Sequence, residues 1–172
     1  MKNTKKLVLS ALMLALALIL PFFTGQIPQI GNLLLPMHLP ILLAGFIVGG
    51  PSAMAVGAIA PLLRSVLWGM PPMFPKAIGM AFELAVYGLV SGALYSKSDK
   101  SMKSIYFSLI CAMLSGRIVW GIVSYFMYSY AGNAFTLGIF FTEAFVNAIL
   151  GIVIQLILIP ILVTMFKKAK II

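Results

Sequence analysis

Ser96-Lys-Ser-Asp-Lys-Ser-Met-Lys-Ser104 is the one clearly polar stretch inside a chain of 172 residues that is 62% apolar and 9% charged. Its lysines, Lys97, Lys100 and Lys103, are matched by Lys2, Lys5 and Lys6 at the N-terminus and by Lys167, Lys168 and Lys170 at the C-terminus. Nine of the twelve basic residues therefore flank apolar runs. That is the positive-inside pattern, and it assigns both termini and this loop to the cytoplasmic side of a membrane. The net charge of +9 then needs no nucleic acid to explain it. A mean hydropathy of +1.12 excludes an ordinary water-soluble domain, which is near half apolar and about a quarter charged. At about 20 residues per membrane helix, the chain has room for roughly six spans and no second domain.

Working outward from the polar loop, the apolar runs supply those spans. The fourth covers about 76–95 and the fifth about 105–128; the sixth covers about 137–166, with a kink expected at Pro160. Before them lie runs at about 5–23, 36–50 and 51–68. The first shares a basic start and an apolar core with a secretory signal, but Ala15-Leu-Ala17 lies within the core rather than after it, so the run reads as a retained span. Gly49-Gly50-Pro51-Ser52 combines a helix stop with proline at a favoured first helical position. The second run has only about 15 residues, or roughly 22 Å of helix, so a re-entrant hairpin of the second and third runs is an alternative with the same parity. Thr24 to Leu35 reads as a loop outside or dipping into the membrane, and Trp68 to Pro75, with prolines at Pro71, Pro72 and Pro75, cannot be regular helix. The sequence thus predicts an all-α integral membrane protein: one domain over 1–172 with six transmembrane helices and both termini cytoplasmic. Gly45-x-x-x-Gly49 and Gly88-x-x-x-Gly92 suit close helix contact within the bundle.

Apart from the lysine clusters, the informative polar residues are His38, Arg64, Lys76, Glu83, Arg117, Glu143, Asn147 and Gln155, each costly in hydrocarbon unless paired or hydrated. Lys76, Met80, Glu83 and Tyr87 share one face of the fourth helix. Arg117, Trp120, Gly121, Ser124 and Tyr128 form a stripe on the fifth, and Glu143 and Asn147 stand one turn apart on the sixth. Together these stripes describe a pocket in the outer half of the last three helices, with few polar groups and aromatic walls. The competing reading has Arg117 paired with Glu143 or Glu83 to hold the bundle, which leaves Trp120, Tyr87 and Asn147 unexplained. His38 reads as a loop or interfacial histidine. Arg64 with Trp68 reads as either an interface anchor and its ring or a substrate contact.

Cofactor and enzyme signatures are absent. Cys111 is the only cysteine, so no internal disulfide or cysteine metal cluster can form. There is no second histidine to complete a metal site, and no phosphate loop, HExxH or GxSxG. Without a nucleotide site, active uptake needs a partner or an ion gradient.

Taken together, the chain resembles the S components of energy-coupling-factor (ECF) transporters, the vitamin-capture subunits of a bacterial and archaeal uptake system. The likeness spans the whole chain. Its more specific parts are Pro36-Met-His-Leu-Pro40-Ile-Leu-Leu-Ala-Gly45-Phe-Ile-Val-Gly-Gly-Pro51 and Gln155-Leu-Ile-Leu-Ile-Pro160. Ala11-Leu-Met-Leu-Ala15 matches the family's small-residue motif on the first helix, and the resemblance implies that Ala11 and Ala15 pack against a transmembrane coupling subunit that works with two ATPase subunits. It also implies a substrate held near the outer surface among the last three helices, beneath lids at Thr24–Leu35 and Trp68–Pro75. The substrate-binding candidates are Glu83, Tyr87, Arg117, Trp120, Glu143 and Asn147, with Lys76 and Arg64. A small intramembrane enzyme or a self-sufficient carrier using Glu83 or Glu143 is the alternative. Pocket groups of both signs suit a zwitterionic or hydrogen-bond-rich heterocycle, such as a pyridine or pyrimidine vitamin, or an acid such as niacin or pantothenate.

Overall fold

The computed structural model describes residues 3–24, 30 and 33–170. Residues 25–29 and 31–32, within the stretch expected to form the first outer loop, lie outside the described residues. Among the described residues the main α-helices are, in order, α1 (Asn3–Ile19), α2 (His38–Val48), α3 (Gly50–Trp68), α4 (Ile78–Ser96), α5 (Met102–Tyr130), α6 (Leu137–Phe141) and α7 (Ile149–Lys168). Among the described residues there is no strand. Among the described residues five helical segments are long and apolar enough to cross a membrane, while His38–Val48 and Leu137–Val146 are shorter apolar helices.

The short second run has a physical explanation. Ten of the eleven residues of α2 are buried, because the helix has no polar face and lies at the centre of the bundle. Its end is set by Gly49, whose left-handed φ of 85° breaks the helix before α3 starts with Pro51 in its first turn.

Glycine determines how closely α3 and α4 approach. A Cβ added at Gly57 would lie 2.3 Å from the Leu84 carbonyl oxygen, one at Gly88 2.5 Å from the Ala53 backbone, and one at Gly92 2.2 Å from the Gly50 nitrogen. The close contact expected of Gly88-x-x-x-Gly92 is therefore internal to the bundle. Backbone cannot yield as a flexible side chain would. Gly88→Ala is accordingly expected to cost about 1–3 kcal/mol of stability through overpacking, read as a lower melting temperature in detergent. An unchanged melting temperature would show that the helices separate freely.

These contacts also fix the directions of the helices. Gly50 meets Gly92 and Gly57 meets Leu84, so α3 and α4 are antiparallel. Arg64 reaches the Leu18 carbonyl, and Phe22 packs edge-on against Trp68, so α1 and α3 run parallel. At the far end, Lys167 Nζ donates to the Lys100 carbonyl at 2.7 Å. The start of α1, the Ser96–Ser104 loop and the end of α7 therefore share one end of the bundle, and with them the described residues of all three lysine groups. In the loop, the Ser104 hydroxyl and the Ser101 backbone N–H donate to Asp99 and hold its carboxyl below the ordinary range.

The last span differs from expectation. In place of one helix over 137–166 there are two, separated by a π-type turn at Thr142–Val146 and by Asn147 and Ala148, while α7 continues through Pro160. One missing N–H is tolerated inside a packed membrane helix. The interruption comes instead where α7 is drawn against the chain entering α2: a Cβ at Gly151 would lie 2.9 Å from the Leu34 carbonyl.

Candidate ligand-binding site

The end of the bundle opposite the three lysine groups holds a cavity of about 670 Å³, within the range of small-molecule sites. Glu83, on α4, is buried at 1% exposure beside the first residue of α2 and the middle of α5. Its Oε1 lies 3.0 Å from Arg117 Nη1 and 3.5 Å from His38 Nε2. All three side chains line the cavity. The ion pair anticipated for Arg117 is thus made with Glu83. Glu143 instead accepts a 3.1 Å hydrogen bond from Asn147 Nδ2.

His38 corrects the sequence reading. It is no loop or interfacial residue: it is 2% exposed, and its ring stands edge-on to Tyr87 with centroids 5.5 Å apart. It takes this place because α2 is buried from its first turn. The sequence carried no signal for this, since an apolar helix with no polar face gives no periodicity from which to place its one histidine.

Arg64 is likewise no interface anchor, being only 2% exposed. Its guanidinium donates to the Leu18 carbonyl and lies 4.6 Å from the centre of the Phe22 ring and 5.5 Å from that of Trp68. The spacing of Arg64 and Trp68 made their contact legible, whereas Leu18 and Phe22 come from a distant part of the chain. Lys76 is exposed and stands on the cavity wall in the proline-rich segment after α3, where Phe74 is extended rather than helical.

Trp120 forms part of the wall with Phe135, their centroids 5.8 Å apart, and stacks on Phe140 at 6.2 Å. Met70, Pro71, Pro72 and Pro75 line the cavity from the Trp68–Pro75 segment. Six of the eight candidate residues therefore border this space: Arg64, Lys76, Glu83, Arg117, Trp120 and Glu143. Tyr87 and Asn147 do not. Tyr87 is buried behind Arg117 with its ring against Gly116, and Asn147 stands behind Glu143. Both support side chains that face the cavity.

A helical membrane protein whose buried charges collect around a roomy cavity has the lining that small-molecule sites share. A family model described as ECF transporter, substrate-specific component, matches residues 5–163, and the chain belongs to this family. Its members are substrate-binding transporter subunits and not enzymes. Comparison with curated proteins and with solved structures returned no match.

Proposed function

We propose that the protein captures a water-soluble vitamin or vitamin precursor from outside the cell and delivers it to an ATP-driven ECF module, formed by a transmembrane coupling subunit and two ATPase subunits. The observation that carries this reading is the cavity itself, which combines Arg64, Lys76, Arg117, Glu83 and Glu143 with the Trp120 wall at the end away from the three lysine groups. Few polar groups among apolar walls fix orientation and give specificity. In this reading the pocket faces outward, six segments cross a bacterial or archaeal cell membrane, and both termini are cytoplasmic. An intramembrane enzyme acting through Glu83 is less well supported, because that carboxylate already holds Arg117. Native mass spectrometry of the purified subunit should find a retained small molecule, and reconstituted uptake should require ATP and the coupling module. Uptake by the subunit alone would overturn the proposal.

Orientation has its own test. In a Cys111→Ala background, cysteine at Ser98 should react with a membrane-impermeant thiol reagent only from the cytoplasmic side. Cysteine at Met73, which is exposed in the proline-rich segment, should react only from outside. Labelling of both from one side would contradict the six-span reading.

A further inference from the structure

The chain has only three acidic residues, Glu83, Asp99 and Glu143, and this limits how its intramembrane cations can be neutralised. Asp99 is in the polar loop with Ser101 and Ser104, at the opposite end of the bundle from the cavity. Glu83 is taken by Arg117 and faced by His38. Glu143 accepts from Asn147. Arg64 therefore has no carboxylate within ion-pair distance among the described residues. A guanidinium held by one backbone carbonyl and two ring faces on the cavity wall keeps a full charge with no carboxylate beside it, and a charge withdrawn from bulk water is expensive unless it is paired. Lys76 adds a second cation on the same wall without a salt bridge, and Arg117 has Nε and Nη2 without hydrogen-bond partners beyond its contact with Glu83. The cavity is lined by three cations and two carboxylates, which leaves one positive charge unmatched.

We infer that the ligand carries a single negative charge on a carboxylate, seated at Arg64, with an uncharged polar ring or chain extending past Trp120 toward Glu143. This rests on the proposed role as a substrate-capture subunit and narrows its substrate class. A planar guanidinium fork matches a carboxylate through two parallel hydrogen bonds. The Phe22 and Trp68 rings flank the guanidinium and hold its orientation. One unmatched charge favours a monoanion over a phosphate monoester, which carries nearly two charges near neutral pH.

The test uses the full chain purified in detergent and probes that differ in charge but hardly in shape: nicotinate against nicotinamide, pantothenate against panthenol, and biotin against its amide. Pyridoxine and thiamine serve as uncharged and cationic probes. Binding is read by calorimetry and by ligand-induced rise in melting temperature. One carboxylate is expected to bind at least 100-fold more tightly than its neutral partner. Arg64→Gln should reduce that ratio at least tenfold, and Arg64→Lys should restore part of it. Lys76→Gln, at an exposed position, should lower the ratio severalfold with the ligand-free melting temperature unchanged, and it serves as the readout if Arg64→Gln fails to fold. Preference for pyridoxine, thiamine or any neutral partner would overturn the carboxylate inference while leaving the capture role standing. So would a carboxylate preference indifferent to both Arg64→Lys and Lys76→Gln. Failure of every probe to bind would overturn the inference, and the absence of any retained molecule by native mass spectrometry would then count against the capture role as well.

Discussion

Arg117→Gln should destabilise the ligand-free protein by about 3–5 kcal/mol, the scale for breaking a buried ion pair by removing one partner. The size follows from what is left behind. Glu83 would remain at 1% exposure without its guanidinium partner, with His38 3.5 Å away and Tyr87 close by. Glu83→Gln should be comparably harmful, since it strands a guanidinium that is itself only 5% exposed. The Glu83→Gln, Arg117→Gln double variant should recover much of the loss. Two neutral side chains of similar shape need no counter-charge, and the coupling of residues in contact makes single effects non-additive. The measurement is the unfolding midpoint of the four proteins in detergent without ligand. Additive losses would show that Arg117 and Glu83 do not act as a unit. The same four proteins separate stability from recognition: if the pair also shapes the cavity floor, the refolded double variant should still bind more weakly than wild type.

That the partner is Glu83 was only half legible in the sequence. Helical spacing placed Lys76, Glu83 and Tyr87 on one face and Arg117 with Trp120 on another. The relations of Glu83 to Tyr87 and of Arg117 to Trp120 hold because 3.6 residues per turn fixes them within α4 and α5, whereas Lys76 lies before α4 in the irregular proline-rich segment. The choice between Glu83 and Glu143 depended on how α4, α5 and the α6–α7 segment face each other, which no spacing encodes. The π-type turn at Thr142–Val146 shows why. It contains neither glycine nor proline, so nothing in the sequence interrupts the expected helix, yet it separates Glu143 from α7 and leaves it bonded to Asn147.

Topology was more legible than the site. The lysines around Ser96–Ser104 and at both ends come together because charged groups cannot enter hydrocarbon, a constraint on each residue separately. Arg64 is the opposite case. Its contact with Trp68 follows from their four-residue spacing, but its burial depends on Leu18 and Phe22 folding over it from α1 and the turn that follows. A residue that reads in the sequence as either an interfacial anchor or a substrate contact thereby lies buried on the cavity wall without a carboxylate partner among the described residues.

Replacing Ala11 with Trp should abolish uptake, a loss of at least tenfold, with ligand binding by the isolated subunit unchanged within about twofold. The geometry that motivates this is the outer face of α1. Ala11 is exposed and Ala15 half-buried, beside Leu7 at 71% and Leu12 at 50% exposure. The inner side of the same helix packs into the core through Met13 and Ala17. Small residues one turn apart allow a second helix backbone to approach closely, and in lipid such packing is a main source of helix association. A Trp side chain at Ala11 would project from this face into lipid, away from the cavity at the other end of α1, so it should block a coupling subunit without reaching the ligand. Ala15→Trp is the more demanding variant, because its half-buried position adds a packing cost inside the bundle. Transport into vesicles containing the full ECF module, measured beside affinity of the purified subunit, tests the proposal. If binding and uptake fell together in Ala11→Trp while the melting temperature held, the face would belong to the subunit's own binding cycle. If uptake survived, the coupling surface would have to lie elsewhere on the bundle.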